Sequence, residues 1–261
     1  MASTKEGKIA VVTGGANGIG RSICRQLALD GFSVAILDRD GDSALAQIEQ
    51  LQELGADGAA FLCDLSQPEQ IQAAFDQVMA RFGRIDALVN NAGVGGYLSW
   101  MEMSMEQWHR FTRVNCDAPF LCIQRTAQEM VRQNIQGRIV IVLSQAAMNQ
   151  DEDIVTPYGT SKWCARGLMR SAAAALKPYG ILVNGVCPGT VWTPMMERFC
   201  QEYVASGSGT REDYLKFIQG LYPTGRLQTG EDIAAACSFL IQHSGRITGQ
   251  SLLVAGGIVS V

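Results

Sequence analysis

Tyr158 and Lys162 stand four residues apart in the stretch LSQAAMNQDEDIVTPYGTSK (143–162), a spacing that puts both on one face of a helix. An ammonium beside a phenol stabilises the phenolate. The expectation is a Tyr158 pKa drawn down from about 10 toward neutrality, where the phenol exchanges protons with an alcohol. Ser144, at the head of the stretch, is a hydroxyl placed to hold a substrate oxygen as negative charge develops on it. Between them run three consecutive acids, Asp151, Glu152 and Asp153. They read as a solvated loop face or, if they face a pocket, as a filter against anionic substrates in favour of cationic or polyhydroxylated ones.

Other groups offer little acid–base chemistry. The two histidines, His109 and His243, have no ligand spacing, so neither a histidine-dependent triad nor a histidine-rich metal site is expected. Eight cysteines are scattered through mostly apolar segments without a C-x-x-C pair and read as buried, reduced thiols, with no metal. A net charge of −4 without clustered Lys or Arg argues against a nucleic-acid partner. The start MASTKEGK lacks the apolar core of a signal peptide, and no apolar run reaches the roughly 18 residues of a spanning helix. The expectation is a cytoplasmic chain with no membrane partner.

These side chains need a scaffold, and the apolar pattern supplies one. Continuous rather than alternating apolar runs at 8–13, 32–38, 58–63, 86–90, 137–144, 181–187 and 251–255 predict strands buried on both faces. Helical patterns lie between them at 18–30, 41–54, 67–82, 104–134, 158–177 and 231–242. Such alternation predicts an α/β fold, a single doubly wound Rossmann domain over residues 1–261 with a mostly parallel seven-stranded sheet. The polar, glycine-punctuated segment 192–226 breaks the rhythm and reads as a substrate lid. Its Trp192, Met195, Met196, Phe199 and Tyr203 form either an apolar wall over substrate or the buried stripe of an amphipathic helix.

The first strand runs directly into TGGANGIG (13–20) and then a helical pattern. Gly14, Gly18 and Gly20, with Thr13, Asn17 and Ile19 around them, fit a turn that brings backbone N–H groups to a pyrophosphate at a helix start. Asp38, closing the second strand, is spaced to accept hydrogen bonds from a ribose diol and would repel a 2′-phosphate. Arg39 could pair with such a phosphate, but the glycine turn itself carries no Lys or Arg, and the expected cofactor is NAD.

The pattern T-G-x-x-x-G-x-G, Asn90-Asn91-Ala92-Gly93 after the fourth strand, and Tyr158-x-x-x-Lys162 together resemble the short-chain dehydrogenase/reductase family over essentially the whole chain. The resemblance implies that Asp64, with Leu65, contacts adenine and that Asn91, Ala92 and Gly93 line the cofactor site. It implies that Lys162 holds the nicotinamide ribose and that Asn115 holds a water linking Lys162 to solvent. Pro188-Gly189, Val191 and Thr193 would border the nicotinamide. Ser144, Tyr158, Lys162 and Asn115 are then the catalytic set: Tyr158 takes the hydroxyl proton while hydride passes to the cofactor, and reduction runs in reverse. From Ser144 to Tyr158 the chain is one residue longer than the family's usual spacing. Strict counting puts Gln145 in the serine's place; the preferred reading puts the extra residue in the 146–157 loop.

Ser144-Gln145-Ala146 also resembles the diol and acetoin dehydrogenases of that family, which implies that Gln145, beside Ser144 and Tyr158, touches a second substrate oxygen. The implied substrate is a small polyol, vicinal diol or hydroxyketone. A 3-oxoacyl-carrier-protein reductase is the competing enzyme, although the helix continues as SAAAAL where such reductases often carry Arg and Glu; Arg166 and Arg170 do remain for docking. A non-catalytic nucleotide-sensing regulator would have no need of the intact catalytic set. Family usage of the alanine-rich helix 163–177 implies a homotetramer. VAGG (254–257) carries Ala255 where the family usually has an acid, which puts in doubt a contact near the last strand.

Overall fold

The computed structural model of the chain describes residues 7–96, 98, 100–148 and 156–258. The predicted apolar runs form β1 (Ile9–Thr13), β2 (Ser33–Asp38), β3 (Gly58–Leu62), β4 (Ala87–Asn90), β5 (Arg138–Val142), β6 (Leu182–Pro188) and β7 (Ser251–Val254). They make one sheet in the order β3-β2-β1-β4-β5-β6-β7, with every neighbouring pair parallel. Why these runs are continuous is visible residue by residue. Ala10 and Val12 of β1, Val34 and Ile36 of β2, and Val140 and Val142 of β5 enter one core. Their neighbours Val11, Ala35, Leu37, Ile139 and Ile141 enter the other. Side chains alternate across a strand, so covering both faces demands an apolar residue at every step.

Among the described residues nine α-helices accompany the sheet: α1 (Gly18–Leu29), α2 (Gly41–Glu53), α3 (Pro68–Phe82), α4 (Met105–Thr112), α5 (Ala118–Arg132), α6 (Thr156–Leu176), α7 (Pro194–Ala205), α8 (Arg211–Gly220) and α9 (Gly230–Gln242). Helices α1, α2 and α9 cover one face through Ile23, Leu27, Ile48, Leu51, Ile233 and Leu240. Helices α3, α5 and α6 cover the other through Ile71, Phe75, Cys122, Met130, Ala165 and Met169. Each fully buried side chain of this kind contributes about 1.5–3 kcal/mol by leaving water.

One stretch differs from expectation. The 104–134 pattern is not one helix: α4 and α5 are joined by a π-helical turn, Arg113–Asp117, that carries Asn115. The 192–226 segment holds two helices, α7 and α8. Thr210 and Asp213 cap α8 reciprocally, and Cys200, Tyr214, Ile218 and Tyr222 make a small core of their own. Among the described residues no helix is long and apolar enough to cross a membrane. Ala255 is buried at the end of β7, with its Cα against Gly189. An acid there would lose its hydration.

Candidate active site

The strand order reverses between β1 and β4, so the loops after their C-terminal ends diverge and leave a crevice. A cavity of about 670 Å³ occupies it. At one end lies the glycine turn. Gly14 and Gly18 have φ of 63° and 56°, the left-handed region that glycine enters without strain. Gly20 serves packing instead: a Cβ there would collide with the Gly14 carbonyl oxygen. No side chain caps the first turn of α1 and no acid lies in it, so its N–H groups are left to an anion. That cradle fits a pyrophosphate.

Thr13 is not on the cavity wall. Its hydroxyl accepts from the N–H groups of Asn91 (3.1 Å) and Ala92 (3.2 Å), while the Asn91 amide donates to the Thr13 and Gly14 carbonyls. Thr13 therefore holds the Asn91–Ala92 wall from behind. Asp38 does face the cavity, and its carboxylate accepts from the N–H groups of Ala16 (3.1 Å) and Asp40 (3.0 Å). Asp40 adds a second carboxylate at this end. It accepts from Ser43, which holds its pKa below the usual range, and from the Asn17 amide. Arg39, Asp64 and Leu65 complete this region.

At the other end Ser144, Gln145, Tyr158 and Lys162 converge. Ser144 and Tyr158 lie together on the cavity wall, and the Ser144 side chain acts to lower the phenol's pKa. The turn Gln145–Ala147 that follows is held by Arg166, whose guanidinium donates to the Ala147 carbonyl at 3.0 Å. That bond and its stacking over Trp163 occupy Arg166, which sequence reading had offered as a docking residue. The Gln145 amide oxygen is buried with no partner among the described residues, and Gln145 lines the cavity. A buried unpaired acceptor points to a missing donor.

The expected ammonium–phenol effect is reversed. Burial pushes the Tyr158 phenol above its ordinary value, with the Ser144 hydrogen bond opposing. Lys162 is buried, its ammonium donates to the Val142 carbonyl at 2.9 Å, and burial brings its pKa down to about 8. Desolvation thus outweighs proximity for both groups.

Asn115 also lies off the cavity wall. Its side chain accepts from the Val94 N–H (2.9 Å) and donates to the Val94 carbonyl (2.9 Å) and to the Ser161 hydroxyl (2.8 Å). Ser161 in turn donates to the Tyr158 carbonyl at 2.7 Å. These bonds make Asn115 a brace between the loop after β4 and the helix bearing Tyr158, so it is a positioning residue. Pro188, Gly189, Val191 and Thr193 also line the cavity.

Met195, Met196 and Phe199 face the cavity, whereas Trp192 and Tyr203 join the core of the helix pair; each earlier reading holds for part of the set. Sequence reading missed the opposite wall: Tyr214, Phe217 and Ile218 of α8, Leu221 just after it, and Ile258. The capping pattern Thr210-x-x-Asp213 followed by apolar residues at helical spacing was the available signal. The acid run Asp151–Glu152–Asp153 lies outside the described residues.

Comparison with known proteins agrees with this geometry. The short chain dehydrogenase family profile matches residues 8–203. The chain is 34% identical to an L-2,3-butanediol dehydrogenase of Corynebacterium glutamicum, over 97% of this chain and 98% of that one. It is also similar to the solved structures of an actinorhodin polyketide ketoreductase with NADPH (TM-score 0.91, 31% identity, 99% of both chains) and an NAD+-bound xylitol dehydrogenase (TM-score 0.88, 30% identity, 96% and 98%).

Proposed function

The chain belongs to the short-chain dehydrogenase family, and on that premise we propose that it is an NAD-linked oxidoreductase interconverting a secondary alcohol and a ketone, with a small vicinal diol, polyol or hydroxyketone as substrate. One observation carries the reading: Ser144, Tyr158 and Lys162 meet in a cavity that continues unbroken to the glycine turn. A dinucleotide held by that turn would supply the carbon that accepts or gives hydride. The protein's share is positional and electrostatic. Ser144 holds the substrate oxygen, and Tyr158 moves a proton to or from it. Lys162 and the Asn115–Ser161 chain of bonds hold the helix and phenol in place.

Asp38 and Asp40 support NAD, because two carboxylates at the adenosine end repel a 2′-phosphate. The unpaired Gln145 oxygen supports a substrate with a second hydroxyl beside the reacting carbon. The butanediol dehydrogenase relative acts on such a compound. A single domain carries both binding functions, α7 and α8 form the lid, and the protein is cytoplasmic. Exposed Phe120 on α5 and Trp163 on α6 offer apolar surface for the homotetramer. The likeness to a polyketide ketoreductase favours a second reading, reduction of a longer oxoacyl substrate along the α7–α8 wall. Initial rates with NAD and NADP across vicinal diols, isolated alcohols and oxoacyl thioesters separate the two. The reading expects the highest kcat/KM with NAD and a diol, and a clear preference for oxoacyl thioesters would overturn it.

A further inference from the structure

A second cavity of about 300 Å³ opens off the substrate end of the first, sharing Gly95, Gly96 and Phe199 with it. It lies between α4 and α7, and its walls are of a different character. Where the main cavity turns to methionine and aromatic side chains, this one is bordered by Arg110, Arg198 and Gln107, with Glu202 as its one carboxylate among the described residues. Arg110 and Arg198 are exposed at its mouth and make no ion pair or hydrogen bond with a described residue. Arg211, one helix further along the lid, binds Glu197 at 3.2 Å and stacks on Trp192. Two guanidiniums left unpaired at a concave site, on a protein of net charge −4, concentrate positive potential where a substrate tail would leave the reaction centre.

We propose that this annex is an oxyanion subsite: the substrate carries a sulfonate, carboxylate or phosphate on the side away from its reacting carbon, and Arg110 and Arg198 receive it. The inference rests on the alcohol–ketone reading and narrows its substrate class from neutral diols to anionic ones. Arginine suits the task because its planar fork donates to two oxygens of such a group at once. Glu202 opposes the attraction without cancelling it, since the site holds two cations to one anion.

The test compares 2,3-dihydroxypropane-1-sulfonate with propane-1,2-diol, which share a vicinal diol and differ in the charged tail. Calorimetric binding to the full chain in the presence of NAD is measured at low salt, for wild type and for the double variant Arg110→Gln/Arg198→Gln. The expected result is a Kd for the sulfonate at least tenfold below that for the diol, with the preference lost in the variant. Equal affinities in wild type, or a preference that survives in the variant, would overturn the subsite. NADH formation is followed in parallel. Sulfonate-selective binding without turnover of either compound rejects the oxidoreductase reading and leaves the subsite standing.

Discussion

The Lys162 ammonium lies 5.7 Å from the centre of the Tyr158 ring, while its hydrogen bond runs to the Val142 carbonyl. Lys162 is buried and Tyr158 half-buried, and burial shifts both groups toward their neutral forms. A neutral phenol suits proton donation to a ketone. Oxidation needs it ionised, so the diol oxidation rate should climb as pH rises above neutrality while ketone reduction falls. Paired pH–rate profiles check this, and an oxidation rate that is flat from pH 7 to 10 contradicts it.

Lys162 makes a linked prediction about stability. Its folded pKa of about 8 lies below the ordinary lysine value of 10.5, so between these values the unfolded chain binds the extra proton. Stability contributed at this site should therefore rise from pH 8 to pH 10, by on the order of 3 kcal/mol at most. Thermal melts of wild type and Lys162→Met should show their difference shifting in favour of wild type across that window.

Gln145→Ala should lower kcat/KM for vicinal diols by about ten- to hundredfold, the loss expected when a hydroxyl that paired with a buried acceptor loses its partner. Isolated secondary alcohols should change much less. Uniform loss across both groups would show that Gln145 shapes the turn rather than reading the second oxygen.

Asp38→Asn should raise the KM for NAD by about tenfold and narrow the gap to NADP, because the ribose diol loses a charged acceptor and the 2′-phosphate loses a repelling charge. Steady-state KM values for the two cofactors decide it; an unchanged ratio removes Asp38 from cofactor selection.

Tyr222 donates to the Thr190 hydroxyl at 2.6 Å and accepts from the Thr190 N–H, tying the end of the lid to the turn between Gly189 and Val191. Tyr222→Phe keeps the buried ring and removes both bonds to Thr190. The expected outcome is a three- to tenfold rise in the KM for NAD with kcat little changed, within the worth of these two hydrogen bonds. A fall in melting temperature with no change in KM would mark the contact as structural alone.

Much of the architecture was legible because burial on both faces writes continuous apolar runs, as in Val34–Leu37 and Ile139–Val142. The glycine turn was legible because Gly14 and Gly18 need positive φ and Gly20 needs the absence of a side chain. The bonds that Thr13 and Asn115 make to the backbone behind the cavity were not legible, since spacing says nothing of which backbone groups a polar side chain meets. The π turn around Asn115 leaves no periodic trace, and the helical pattern read straight through it. The spacing of Tyr158 and Lys162 revealed their shared face but not their burial, which reverses the sign of the phenol's shift. Arg110 and Arg198 are far apart in sequence and come together only through the packing of α4 beside α7.

The central claim is that Tyr158 carries the reacting proton, and kcat for diol oxidation by Tyr158→Phe, measured alongside the Kd for NAD, tests it most directly. The account predicts a loss of about a hundred- to ten-thousandfold in kcat with NAD affinity kept within about threefold. A Phe variant that turns over diols at the wild-type rate would contradict it.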